Sequence, residues 1–305
     1  MTPQPLDPAI VDAVALIDLG DLSVDRLVDF RVPFDIPVPD GVVWEDRQVQ
    51  GDPELTVRVY RTADAHGRAA APCIYSMHGG GYVIGSREID NGMFATWCPE
   101  LGVVGVSVEY RLAPDTPYPG AIDDCYRGLS WVHDHAEELG VDRNRIGVAG
   151  VSAGGGLAAA LAILARDRGE VPLAFQLLDC PMLDDRQQTA SSRLDGLPVW
   201  SRASNEFGWR SYLGELYGRD DVPPTAAPAR ATDLSGLPPA FVSVGTVDGF
   251  RDEDVDYATR LNQAGVATEL HVYPGLCHGY QIAMDAPAVR QAGADVLRWL
   301  RRHTS

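Results

Sequence analysis

The chain has 305 residues, 45% hydrophobic and 22% charged, enough apolar material for a sizeable core in one large domain or two smaller ones. Aspartate and glutamate number 43 against 25 lysine plus arginine, a formal charge of −18, which argues against nucleic acid and anionic membrane as partners. The five cysteines (Cys73, Cys98, Cys125, Cys180 and Cys277) are scattered, odd in number and without metal-ligand spacing, so neither a disulfide framework nor a metal site is expected.

Thiols of this kind fit a reducing, cytoplasmic compartment. The opening MTPQPLDPAI has neither the basic region nor the apolar core of a signal peptide, and no run is long enough to span a bilayer.

Along the chain, apolar patches at Ile10–Leu19 and Leu22–Phe30 predict one or two short helices ahead of the main sheet. Val42–Gln50 and Leu55–Arg61 read as strands joined by a turn at Gly51-Asp52-Pro53, an antiparallel pair. Short apolar runs then recur at Ala71–Met77, Val103–Glu109, Ile146–Ala149, Leu173–Leu178, Ala240–Val244 and Thr268–Tyr273, the pattern of strands buried on both faces. Helical patterns alternate with them at Ala121–Leu139, Ala153–Arg168, Glu253–Gly265 and Ala288–Arg302. The fold class is therefore α/β, with a mostly parallel sheet between helices. Asp184–Asp233 fits less well and reads as an insertion holding a helix or two.

In such a sheet the chemistry belongs at the carboxyl ends of the strands. After Ile146–Ala149 the chain reads Gly150-Val151-Ser152-Ala153-Gly154-Gly155, a G-x-S-x-G pattern between strand and helix. The turn exposes the Ser152 hydroxyl, and Gly150 and Gly154 allow strand and helix to approach closely. A serine needs a positioned base. Of seven histidines, His66, His133, His135, His271 and His303 fall in a polar turn, a helix, a strand and the tail, and His78 precedes a glycine run. His278, flanked by Gly275 and Gly279 after the last strand, is the base by position. Asp248, at the end of the Ala240–Val244 strand, is the acid that orients it, with Asp252 in reserve, because Asp252, Glu253, Asp254 and Asp256 read as first-turn helix residues. The order Ser152, Asp248, His278 is that of an α/β-hydrolase.

The stretch Ser76-Met77-His78-Gly79-Gly80-Gly81-Tyr82 places three glycines after an earlier strand. An oxyanion formed by attack on a carbonyl needs bare backbone amides, and this loop together with Ala153 can supply them. No lysine follows, so a phosphate loop is excluded, and the dinucleotide pattern is absent. His78 reads as a brace for the loop. No cofactor is expected.

Taken together, His78–Tyr82, Tyr110-Arg111-Leu112-Ala113-Pro114 with Pro117-Tyr118-Pro119 and Asp123-Asp124, the serine box, Asp248 through Arg251-Asp252-Glu253, and His278-Gly279-Tyr280 resemble the hormone-sensitive-lipase-like family of α/β-hydrolases, which includes bacterial carboxylesterases. The resemblance spans about residues 40 to 300. It implies an eight-stranded, mostly parallel sheet with a helical cap. Residues 1–40 would supply N-terminal cap helices, 41–183 and 226–305 the catalytic core, and 184–225 a cap insertion. It also implies serine carboxylesterase activity on short- to medium-chain acyl esters through an acyl-enzyme, an oxyanion hole of the Gly80, Gly81 and Ala153 amides, and a homodimer. Trp200, Phe207, Trp209 and Tyr212 are candidates to line the pocket, at least half of them being core residues. Tyr82, Trp209 and Tyr212 are expected to contact substrate. Two departures stand out: Val151 where the family usually has Asp or Thr, and Gly249-Phe250 where proline more often follows the acid. Amide and lactone hydrolysis use the same groups, and a non-catalytic binding protein would lack one of the three, whereas all are present.

Overall fold

Eight apolar runs, bounded by glycine, proline and polar turns, fold as the strands of a single sheet: β1 Val42–Val49, β2 Leu55–Thr62, β3 Ala71–Met77, β4 Val104–Val108, β5 Val141–Val151, β6 Gln176–Asp179, β7 Ala240–Val247 and β8 Thr268–Cys277. The computed structural model describes residues 4–32, 36–64 and 70–305; His66 lies outside them. The spatial order is β1-β2-β4-β3-β5-β6-β7-β8. β1 with β2 and β2 with β4 are antiparallel, and every later pairing is parallel. The parallel strands carry the continuous burial expected when helices cover both faces: β4 and β6 are buried at every position. This is the α/β-hydrolase architecture.

The helices are α1 Val11–Val14, α2 Leu27–Phe30, α3 Asn91–Leu101, α4 Gly120–Asp134, α5 Ala153–Arg168, α6 Arg202–Leu213, α7 Arg251–Gln263 and α8 Pro287–Thr304. The first two hold only four residues each, shorter than the apolar patches around them. α3 has no counterpart in the sequence reading, and its sequence is weakly helical, with Gly92 near its start and Pro99 inside it. Phe94, Trp97 and Cys98 nevertheless give it a buried face, and tertiary packing overrides the weak propensity. α4 stops at Asp134 rather than Leu139; the remainder turns back through Gly140, in the left-handed region at φ +63°, into β5. α5 is buried nearly all round, as its alanines, glycines and leucines predict for a helix behind the central strands.

The long connection between β6 and β7 contains α6 and packs against the N-terminal segment. Ser204 Oγ donates to the Gly20 carbonyl and accepts from the Leu22 amide at 3.0 Å, and Ser201 Oγ donates to Asp21 at 2.6 Å. Ile10 and Val14 share an apolar cluster with Leu194, Leu197, Leu276 and Tyr280, so the N-terminal segment also covers the loop after β8. Among the described residues no helix is long and apolar enough to cross a membrane.

Candidate active site

The strand β5 turns into α5 within a single residue. Ser152 makes that turn with φ +60° and ψ −124°, a conformation strained for any residue with a side chain. Close approach enforces it. A Cβ on Gly150 would lie 2.1 Å from the Gly154 carbonyl oxygen, and one on Gly154 only 1.9 Å from that of Met77. The two glycines therefore let helix and strand meet, and the hydroxyl is thrown forward at the carboxyl edge of the sheet. Backbone bonds hold the turn: Ser152 N–H donates to the Asp179 carbonyl at 2.9 Å, and the Ser152 carbonyl accepts from Met182 at 2.9 Å and Gly156 at 3.0 Å.

His278 and Asp248 reach the same point from the ends of β8 and β7. The Ser152 hydroxyl lies 2.8 Å from His278 Nε2, and His278 Nδ1 lies 2.8 Å from Asp248 Oδ2. The carboxylate fixes the ring proton on Nδ1, which leaves the Nε2 lone pair to accept from the serine. Asp248 is itself held by the Phe250 amide, which donates to Oδ1 at 2.9 Å. The reserve acid is committed elsewhere: Asp252 accepts from the Ser191 amide at 2.8 Å and from Arg251. All three side chains are buried, at 5%, 2% and 6% exposure for Ser152, Asp248 and His278. The Phe250 ring stands edge-on to His278 with centroids 5.1 Å apart, and Trp200 lies 6.3 Å away on another side. The two sequence departures are thus accommodated. Phe250 packs on the base, and Val151 ends β5 paired with Asp179 without disturbing the triad distances.

The glycine loop lies beside the serine. Gly80 and Gly81 adopt φ +119° and +59°, which turns the chain sharply after β3. A Cβ on Gly80 would collide with the Ile84 carbonyl at 2.1 Å, and one on Gly81 with the Trp200 indole at 2.1 Å. Among the described residues no backbone or side-chain group accepts from the Gly80 or Gly81 amide. His78 braces this loop as expected. Its Nδ1 donates to the Gly79 carbonyl at 2.8 Å, its ring stacks on Tyr110 at 4.2 Å, and Tyr110 Oη donates to its carbonyl. Burial holds its imidazole below the ordinary value, so the brace is neutral.

Tyr82, Trp209 and Tyr212 form one aromatic stack: Tyr82 on Tyr212 at 4.1 Å and beside Trp209 at 5.4 Å. All three are fully buried, and Tyr82 Oη donates to the Met182 carbonyl at 3.1 Å. Trp209 Nε1 and Tyr212 Oη are buried with no acceptor among the described residues. The other described histidines stand away from the triad. His133 and His135 are partly exposed on the end of α4, His271 pairs with Glu269 at 2.8 Å, and His303 donates to Trp299 in α8. Cys180 was not foreseen at the site, yet its sulfur and the ligand atoms of Asp248 and His278 lie within 4.8 Å of one another. Positions 180, 248 and 278 carry no ligand spacing in sequence; only the parallel packing of β6, β7 and β8 joins them. Asp248 and His278 are already bonded to each other there.

A strained serine at a strand–helix turn, an imidazole within hydrogen-bond reach of it and a carboxylate that orients the imidazole define a serine hydrolase. Residues 74–282 match the family described as alpha/beta hydrolase fold. The chain is 39% identical over 265 residues to carboxylesterase NlhH of Mycobacterium tuberculosis, covering 85% of this chain and 82% of that one. It is 35% identical over 271 residues to esterase LipI of the same organism, covering 82% and 84%. Among solved structures, a bacterial heroin esterase superposes with a TM-score of 0.92 at 40% identity over 98% of each chain. The protein belongs to the alpha/beta-hydrolase fold family, as a hormone-sensitive-lipase-like serine carboxylesterase.

Proposed function

We propose that this enzyme hydrolyses short- to medium-chain acyl esters, and that the 2.8 Å contacts from Ser152 through His278 to Asp248 carry the reaction. His278 takes the serine proton as Oγ attacks the ester carbonyl. The amides of Gly80, Gly81 and Ala153 receive the developing oxyanion, the first two from a loop whose donors face no protein acceptor among the described residues. His278 then protonates the leaving alkoxide, and a water activated by the same imidazole releases the acid from the acyl-enzyme.

The acyl preference rests on the walls. Trp200 abuts Gly81 and Phe250 abuts His278, so both sides of the nucleophile are walled by aromatic rings, which supports an acyl range of short to medium length. Tyr82, Trp209 and Tyr212 are proposed as the substrate-binding side of the site, supported by their rigid stack directly after the glycine loop; Trp209 Nε1 and Tyr212 Oη are buried within that stack. Residues 1–40 and 184–225 act together as a cap over the core formed by 41–183 and 226–305, in keeping with the Ser204–Leu22 and Ser201–Asp21 bonds. The same reading makes the protein a cytoplasmic homodimer. Five buried free thiols support the first part, and the half-exposed Leu270 and Val272 on the edge strand β8 support the second.

The test is a set of initial rates on p-nitrophenyl acetate, butyrate, octanoate and palmitate at pH 8, for the native chain and S152A. Fast turnover of the shorter esters, at least a thousand times slower in S152A, is expected (~10³–10⁶ for loss of a nucleophile). Equal rates in the two proteins would remove Ser152 from the mechanism, and a palmitate rate above the butyrate rate would overturn the proposed acyl range.

A further inference from the structure

β6 is the one strand between the nucleophile strand and the acid strand, and it ends in a carboxylate. Asp179 is the last residue of β6, paired with Val151 of β5 on one side and Ser243 of β7 on the other. It is 8% exposed. The sequence around it, Phe175-Gln176-Leu177-Leu178-Asp179-Cys180, is buried throughout and, apart from Gln176, otherwise apolar, where a carboxylate is costly unless it is fully bonded. The reaction as described does not use it.

Its bonds reach the turn that carries Ser152, the strand that leads to Asp248 and the loop that follows His278. The Asp179 carbonyl accepts from the Ser152 amide at 2.9 Å, inside the nucleophile turn. Its Oδ1 accepts from Ser243 Oγ at 2.8 Å, on the strand that leads to Asp248. The same oxygen accepts from Tyr280 Oη at 3.0 Å, and Oδ2 accepts from Gln281 Nε2 at 2.7 Å. Tyr280 and Gln281 follow His278 by two and three residues, across Gly279 in the left-handed region at φ +71°. Beyond the bonds to Asp179, the loop's hydrogen bonds toward the sheet among the described residues are the His278 contacts with Ser152 and Asp248 and a 3.8 Å bond from Gln281 Nε2 to Cys180 Sγ, while Tyr280 also packs in the apolar cluster with Ile10 and Val14, with the Tyr273 ring 6.2 Å away. Charge-assisted bonds to a carboxylate are short and directional, which suits a tether.

We propose that Asp179 is a positioning residue: by anchoring Tyr280 and Gln281 it fixes the loop that holds the His278 imidazole between Ser152 and Asp248. The inference rests on the esterase reading of the same site. Asp179 touches no reacting atom. A base displaced by about 1 Å loses on the order of a hundredfold in rate, so the tether is expected in kcat and not in KM.

Three variants test it. Asn at this position can accept from Ser243 and Tyr280 through its oxygen and donate to a rotated Gln281 amide, so D179N keeps the tether without the charge. D179L removes the tether from the strand side, and Y280F/Q281L removes it from the loop side without changing the strand. With p-nitrophenyl butyrate, D179L and Y280F/Q281L should each lose 30- to 100-fold in kcat with KM within 3-fold, and D179N should recover most of the loss. The rate of inactivation by a fluorophosphonate, which reads the Ser152–His278 pair without a leaving alcohol, should fall in parallel with kcat. Thermal midpoints identify a variant that has failed to fold, and Y280F/Q281L then decides in place of D179L. A folded D179L or Y280F/Q281L with kcat within 3-fold of the native chain overturns the tether, and so does a D179N as impaired as D179L. A native chain without Ser152-dependent ester turnover overturns the esterase reading and the inference with it. An active native chain with an unaffected loop variant overturns the inference alone.

Discussion

At Asp248 the carboxylate has two separate tasks, one for each oxygen. Oδ1 accepts the Phe250 amide and shapes the loop, while Oδ2 sets the His278 tautomer. Asparagine can perform only the first. In D248N the side-chain NH₂ faces Nδ1 and drives the ring proton to Nε2, where it points at the serine oxygen and cannot accept from it. The expected loss in kcat is on the order of 10⁴ with a thermal midpoint close to native, measured by steady-state kinetics beside a melting curve. A D248N that keeps a tenth of the native rate would mean that another carboxylate orients the base. Asp252 is a poor candidate for that, since it is bonded to Ser191 and Arg251.

At the scale of the element, α7 overturns a sequence expectation. Its acidic first turn reads as capping residues, yet Glu253 and Asp254 are buried, and Asp254 lies on the same face as Tyr257, Ala258 and Leu261 at helical spacing. Glu253 Oε1 accepts from the Leu183 and Asp184 amides at 2.9 and 3.2 Å, so it fastens the helix to the chain leaving β6. Neither Asp254 oxygen has a donor among the described residues. Burial first, then the neighbouring Glu253, Asp248 and Asp179 charges, hold the Asp254 carboxyl well above the ordinary range, so the folded state keeps it protonated. The unfolded chain ionises it above about pH 4. Below that value both states bind the proton and nothing is lost. As pH rises further the unfolded state sheds its proton first, and stability falls until the folded-state value is passed. D254N removes this slope. It should match the native chain near pH 4.5 and exceed it at pH 8, a difference read from urea midpoints at the two pH values. A native advantage that grows toward pH 8 would contradict a protonated Asp254.

For the whole molecule, the cysteines report how the core is closed. Cys73, Cys98, Cys125, Cys180 and Cys277 are all free and buried, on or beside three different strands and in two helices. Burial pushes the Cys98 and Cys277 thiols up to about 12, which removes the thiolate that a disulfide reagent needs. An aromatic disulfide reagent at pH 8 should therefore label none of them within minutes in the native protein and all five in guanidinium. Their appearance should follow global unfolding as one step. Prompt labelling of one thiol, Cys180 above all, would show that the site opens locally to solvent.

The strands, their mostly parallel pairing and the triad were legible in the chain itself, because each depends on local chemistry. Apolar runs make central strands, glycines at positions 150 and 154 make a strand–helix turn, and a histidine or aspartate just past a strand faces the carboxyl edge. α3 was hidden because a glycine and a proline mask its buried face until β2, β4 and α8 pack on it. The acids of α7 were misjudged because a helix wheel does not say which side meets the core. Ser152, His278, Cys180, Asp179, Tyr280 and Gln281 lie up to 129 residues apart in sequence. Their meeting is set by the order of β5, β6, β7 and β8 and by the register between neighbouring strands. Sequence determined which groups could do the chemistry. Tertiary structure alone decided which of them share hydrogen bonds, since a contact of 2.8 Å depends on packing that no local pattern encodes.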